Sequence, residues 1–66
     1  MKYVFKRLAK VRDYEECEHL DENSQARHLV SKCFGLDIDV VRDMDMPDFN
    51  ECLRIYAENH GLKLDD

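Results

Sequence analysis

Apolar residues recur along this chain with two different spacings. Near the start, Lys2-Tyr3-Val4-Phe5-Lys6 combines aromatic and β-branched residues with a period of two, which sets Tyr3 and Phe5 on one face and predicts a short strand. A lone strand leaves its backbone groups unpaired, so this one is expected to pair with Leu8–Val11 after a bend, or with a second copy. From Asp13 onward the spacing becomes helical. Asp13 is placed to cap a short helix with Glu15 and Glu16 in its first turn, Tyr14 and Cys17 on one face and Leu20 near its edge. The clearest stripe follows: Ala26, Leu29, Val30, Cys33 and Phe34 fall at i, i+3, i+4, i+7 and i+8, predicting a helix over 24–34 capped by Ser24. Gly35 supplies its left-handed stop, and Leu36 is placed to fold back onto the last turn.

Asp37 then caps a short helical stretch, Ile38–Met44, with Val40, Val41 and Met44 apolar. Asp45 or Met46 caps a final helix with Pro47 and Asp48 in its first turn. Its stripe is Phe49, Cys52, Leu53, Tyr56, Ala57 and His60, and Gly61 ends it. The expected fold is therefore mainly α: a compact bundle of three to four short helices with a short N-terminal β segment. It forms a single small domain over 1–66, divided into a basic β-like arm (1–11), a helical body (12–61) and a tail (62–66). Leu29 and Leu53 are expected at the centre of its core, where truncation to Ala costs about 2–5 kcal/mol.

Size and charge sharpen this picture. A chain of 66 residues buries only about 60% of its unfolded surface, so an added staple or a partner chain is expected to contribute to its stability. Residues 1–12 hold five basic side chains and no acid, whereas the remainder sums to −10, for a net charge of −5. The arm can therefore steer an oppositely charged partner, or lie against its own or a sister body. The overall sign opposes a generic nucleic-acid coat. No run approaches the roughly 18 apolar residues of a membrane span, and charges interrupt the first residues too often for a secretory signal. Cys17, Cys33 and Cys52 are odd in number and scattered, as expected for reduced, packed thiols in a cytoplasmic protein.

Candidate chemistry is sparse. Cys17, His19, His28, Cys33, Cys52 and His60 are ligand types, but the pairs Cys17-x-His19 and His28-x₄-Cys33 lack the usual zinc spacing. Asp37 and Asp43 each begin an acidic stretch, yet neither is followed by the glycine and glutamate of a calcium loop. No phosphate cradle or nucleophile elbow is present, and a core of this size leaves little room for a substrate pocket. The chain is expected to be non-enzymatic, with no metal or cofactor. A helix-turn-helix reading of Ala26–Phe34, Gly35 and Ile38–Met44 brings Asp37, Asp39, Asp43 and Asp45 toward phosphates beside a single Arg42, which disfavours groove binding. Tyr3, Phe5, Leu36, Met44, Met46 and Phe49 remain as candidates for a protein-binding patch, since methionines and aromatics adapt well to apolar partners.

The order of Leu8-Ala9-Lys10-Val11-Arg12-Asp13, His28-Leu29-Val30-Ser31-Lys32-Cys33-Phe34-Gly35-Leu36, Val40-Val41-Arg42-Asp43-Met44-Asp45 and Asp48-Phe49 resembles the small phage tail assembly chaperones. Within these it is similar to the tail assembly proteins of Mu-like and P2-like contractile-tailed phages. The resemblance covers about residues 8–56 and rests on the order and spacing of generic pieces. It implies a non-enzymatic virion-assembly protein of the host cytoplasm that shields the apolar, helical tape measure protein, and it implies no catalytic residues. Family members carry a fuller β-hairpin before the Arg-Asp step, so the sheet here is expected to be abbreviated or completed by a partner, and the chain is expected to form a homo-oligomer. The competing expectation is a small acidic adaptor or antitoxin-like inhibitor that occupies a basic protein surface, and whose binding falls steeply with salt.

Overall fold

The computed structural model describes residues 3–62, so expectations for Lys2 and for most of the tail lie outside the described residues. Within them, four helices follow an extended arm: α1 (Val11–Cys17), α2 (Glu22–Phe34), α3 (Ile38–Arg42) and α4 (Met46–Asn59). The fold is mainly helical, as the 3.6-residue stripes require. α2 is the hub and packs against α1, α3 and α4.

Local chemistry accounts for most helix boundaries. Asp21, not Ser24, caps α2, and its carboxylate accepts a hydrogen bond from the Ser24 backbone N–H at 3.4 Å. Helical geometry therefore starts two residues before the predicted range, at Glu22. Gly35 ends α2 at φ 65°, and the Leu36 N–H folds back to the Ser31 carbonyl at 2.9 Å. Asp37 precedes α3, which stops at Arg42 rather than reaching Met44. Asp45 and Pro47 open α4.

Two further predicted details are corrected. α1 starts at Val11 rather than after Asp13, because Asp13 occupies its third position and accepts from the Lys10 N–H at 2.8 Å. This reciprocal half of a capping arrangement buries Asp13 and Cys17 together, while Tyr14 and Leu20 stay exposed. The N-terminal β segment is not seen: residues 3–10 are extended but form no strand ladder among the described residues. The predicted alternation of faces is nevertheless present, with Tyr3, Phe5, Arg7 and Ala9 turned inward and Val4, Lys6, Leu8 and Lys10 outward.

The arm finds its hydrogen-bond partners on helices instead of a strand. The Lys6 and Arg7 N–H groups both donate to the Cys33 carbonyl, at 2.8 and 3.2 Å, near the end of α2. The Ala9 N–H donates to His60 Nε2 at 2.9 Å, just past α4. A backbone N–H can only donate, so Nε2 carries the lone pair and Nδ1 the proton, which bonds the Tyr56 carbonyl at 2.8 Å. Phe5 sets its ring edge-on to Phe34 and to His60, at 5.6 and 5.9 Å between centroids.

The core is Val30, Cys33, Phe34, Val41 and Cys52. Leu29 and Leu53, expected at its centre, are only half-buried. Leu53 packs against this core cluster from α4, whereas Leu29 lies at its margin.

Candidate functional site

Because α2 and α4 do not close completely over their apolar stripes, an open groove remains between them. Ala26, Leu29 and Val30 of α2 and Leu53 and Tyr56 of α4 line it, with Glu22 and Gln25 at the α2 side, around a volume of about 230 Å³. The exposed lining is almost wholly apolar. Gln25 is held at the rim because its side-chain amide donates to the Glu18 and Leu20 carbonyls, at 3.1 and 3.0 Å. Tyr56 is stacked on His60 with ring centroids 4.1 Å apart, and burial pushes its phenol pKa upward. The groove thus has two aliphatic walls, an aromatic end and an acidic edge, the features of a seat for one face of an apolar helix.

The six residues singled out from sequence lie elsewhere. Tyr3, Phe5, Leu36, Met44 and Phe49 are half-buried and pack against the core cluster, whereas Met46 is 66% exposed at the start of α4. Nothing in their local pattern separates a core-covering side chain from a patch-forming one. Leu29 and Leu53, expected at the centre of the core, both line the groove, and of the two only Leu53 also packs against the core cluster. The signal that separates them is tertiary: how α4 packs on α2.

The ligand-type residues are also dispersed. Cys33 and Cys52 belong to the core, and burial raises the pKa of both thiols. Cys17 is fully buried, donates to the Asp13 carbonyl at 3.4 Å, and is raised for the same reason. His28 faces Glu16 at 3.3 Å, and His60 holds the arm. Among the described residues, no three His, Cys, Asp or Glu side chains gather where they could hold a metal ion. No helix among them is long and apolar enough to cross a membrane.

Sequence reasoning missed one polar constellation. Arg7, reaching from the arm, forms an ion pair with the buried Asp13 at 2.7 Å and a second hydrogen bond at 3.3 Å. The guanidinium holds the Asp13 carboxyl down to about 2 against the opposing effect of desolvation, with the Lys10 N–H assisting. The Arg7-x₅-Asp13 spacing was visible, but only the path of the arm brings the two together.

Comparison with known protein families, curated proteins and solved structures finds no match to this chain.

Proposed function

We propose that this chain is a non-enzymatic protein-binding module whose α2–α4 groove seats one apolar face of a helical segment. The observation that carries this reading is the groove itself, with Leu29, Leu53 and Tyr56 half-buried around an apolar opening and Glu22 at its edge. Such a seat selects a helix with apolar residues at i, i+3 or i+4, and i+7, flanked by a Lys or Arg that meets the acidic edge.

The resemblance to tail assembly chaperones supports a specific partner, the tape measure protein, whose long apolar helices need a soluble cover before tail tube subunits assemble around them. A small acidic cover suits this task because net negative charge keeps the complex dispersed. Self-association belongs to the same proposal. Val4 and Leu8 on the outward face of the arm are 65% and 54% exposed, an apolar surface that a second copy of the chain can cover.

Co-expression with a phage tape measure protein tests the reading. Co-purification is expected, with loss on Leu29→Asp and only modest loss at high salt. Absence of co-purification, or retention unchanged by Leu29→Asp in a variant whose circular dichroism is native, overturns it. Steep loss with salt instead identifies the acidic adaptor, whose partner is a basic surface.

A further inference from the structure

α2 presents a second concavity whose lining shares no residue with the apolar groove, and its chemistry is opposite. This cleft lies where α2 meets the turn into α3 and measures about 430 Å³, within the range of roughly 300–1,000 Å³ typical of small-ligand sites. Arg27, His28 and Lys32 of α2 and Arg42 at the end of α3 line it, together with the hydroxyls of Ser24 and Ser31. Asp37 is the one acid in the lining. An acidic chain with a net charge of −5 thus gathers three permanently charged cations around one opening. We propose that this cleft binds a small phosphate-bearing anion.

The donor geometry fits that ligand class. Arg27 Nη2 donates to Ser24 Oγ at 2.9 Å, which orients the guanidinium and leaves the Ser24 proton for a ligand oxygen. Ser31 Oγ donates to the His28 carbonyl at 2.6 Å, so it stabilises the α2 wall rather than contacting an anion as a donor. Among the described residues, neither Arg27 nor Arg42 has a carboxylate within ion-pair distance, so the Arg42 fork and the Arg27 N–H groups not committed to Ser24 are available for phosphate contact. Arg27, Lys32 and Arg42 against Asp37 sum to two positive charges, which matches a phosphate dianion. Leu20, Leu36 and Ile38 add apolar wall, suited to a nonpolar group carried beside the phosphate. Exposed Asp39 and Asp43 on and just after α3 repel an extended polyanion, which restricts the cleft to small ligands.

Three acids compete for these cations: Asp37 in the lining, Asp21 acting on Arg27, and Glu16. Glu16 of α1 reaches His28 at 3.3 Å and Lys32 at 3.9 Å. A phosphate entering the cleft displaces that carboxylate, so removing its charge favours the ligand.

The test is titration of the isotopically labelled 66-residue chain with inorganic pyrophosphate at constant ionic strength, followed by amide shifts. Saturable shifts are expected over residues 24–32 and 36–42, with a Kd of about a millimolar or tighter. Arg27→Gln and Arg42→Gln should each weaken binding about tenfold, and Glu16→Gln should tighten it about threefold. Unchanged circular dichroism verifies that each variant is folded, and Arg42 is exposed enough that its replacement leaves the core untouched. Equal shifts at Arg12 and Arg54, affinity unaffected by both arginine changes, or weaker binding by Glu16→Gln each overturn the proposal. Tighter binding of citrate or of a short DNA duplex than of pyrophosphate overturns it as well.

Discussion

Asp13 is buried beside one basic partner, and its ionisation links the arm to the helical body. Its carboxyl is lowered from the usual 3.8 to about 2 in the folded chain, chiefly by the Arg7 hydrogen bond. The unfolded chain takes up this proton first as pH falls, so the stabilisation is complete above about pH 4 and is lost progressively toward about pH 2. Asp13→Asn should therefore cost about 1–2 kcal/mol at neutral pH, a difference that shrinks as denaturation is repeated at increasing acidity. An undiminished difference at about pH 2 separates the effect from ionisation. Burial raises the pKa of Cys17, Cys33 and Cys52 above the usual 9.0. In the unfolded chain these thiols ionise first as pH rises, so stability is expected to decline above about pH 9. Replacing Cys33 and Cys52 by Ala should flatten that alkaline limb in pH-resolved melts. At this scale the sequence was poorly legible: Asp13 looked like a cap, and nothing local announced Arg7 as its partner.

At the scale of elements, legibility was high because helix limits depend on near neighbours. Asp21, Asp37 and Asp45 precede three of the helices, and Gly35 and Gly61 follow two of them at φ 65° and 69°. The two glycines make a controlled comparison. A Cβ at Gly61 meets nothing within 4 Å, so Gly61→Ala carries only the left-handed backbone cost of about 1 kcal/mol. At Gly35 the added carbon lies 3.0 Å from the Lys6 side chain. Gly35→Ala should therefore be the more destabilising and should also broaden or shift the arm amides of Lys6 and Arg7, which Gly61→Ala leaves in place. Equal melting shifts with an unmoved arm would show that Lys6 yields freely. The arm itself was half legible: its period of two predicted which residues face inward, but a strand needs a partner strand. Here the Cys33 carbonyl and His60 ring take that role.

For the molecule as a whole, the core and the apolar groove share Val30 on the α2 stripe, but Phe34 belongs to the core alone and Leu29 to the groove. Phe34 is 1% exposed within the core cluster, and Phe34→Ala should cost about 3–5 kcal/mol, enough to unfold a domain of this size. Leu29→Ala, at the margin of the groove, should cost less than half as much while weakening capture of an apolar helix. Chemical denaturation and binding measured on both variants check that division; equal destabilisation would place Leu29 back in the core. From the sequence alone, the helical class, a body of three to four short helices, the apolar stripes of α2 and α4 and the uneven charge followed, since these depend on residues within a few positions of one another. Tertiary structure decided where the arm lies, which leucines border an opening, and which cations share a cleft. Those outcomes depend on how helices of fixed pattern meet in space, a choice made by packing between residues as distant as Ala9 and His60, to which a local spacing rule is blind.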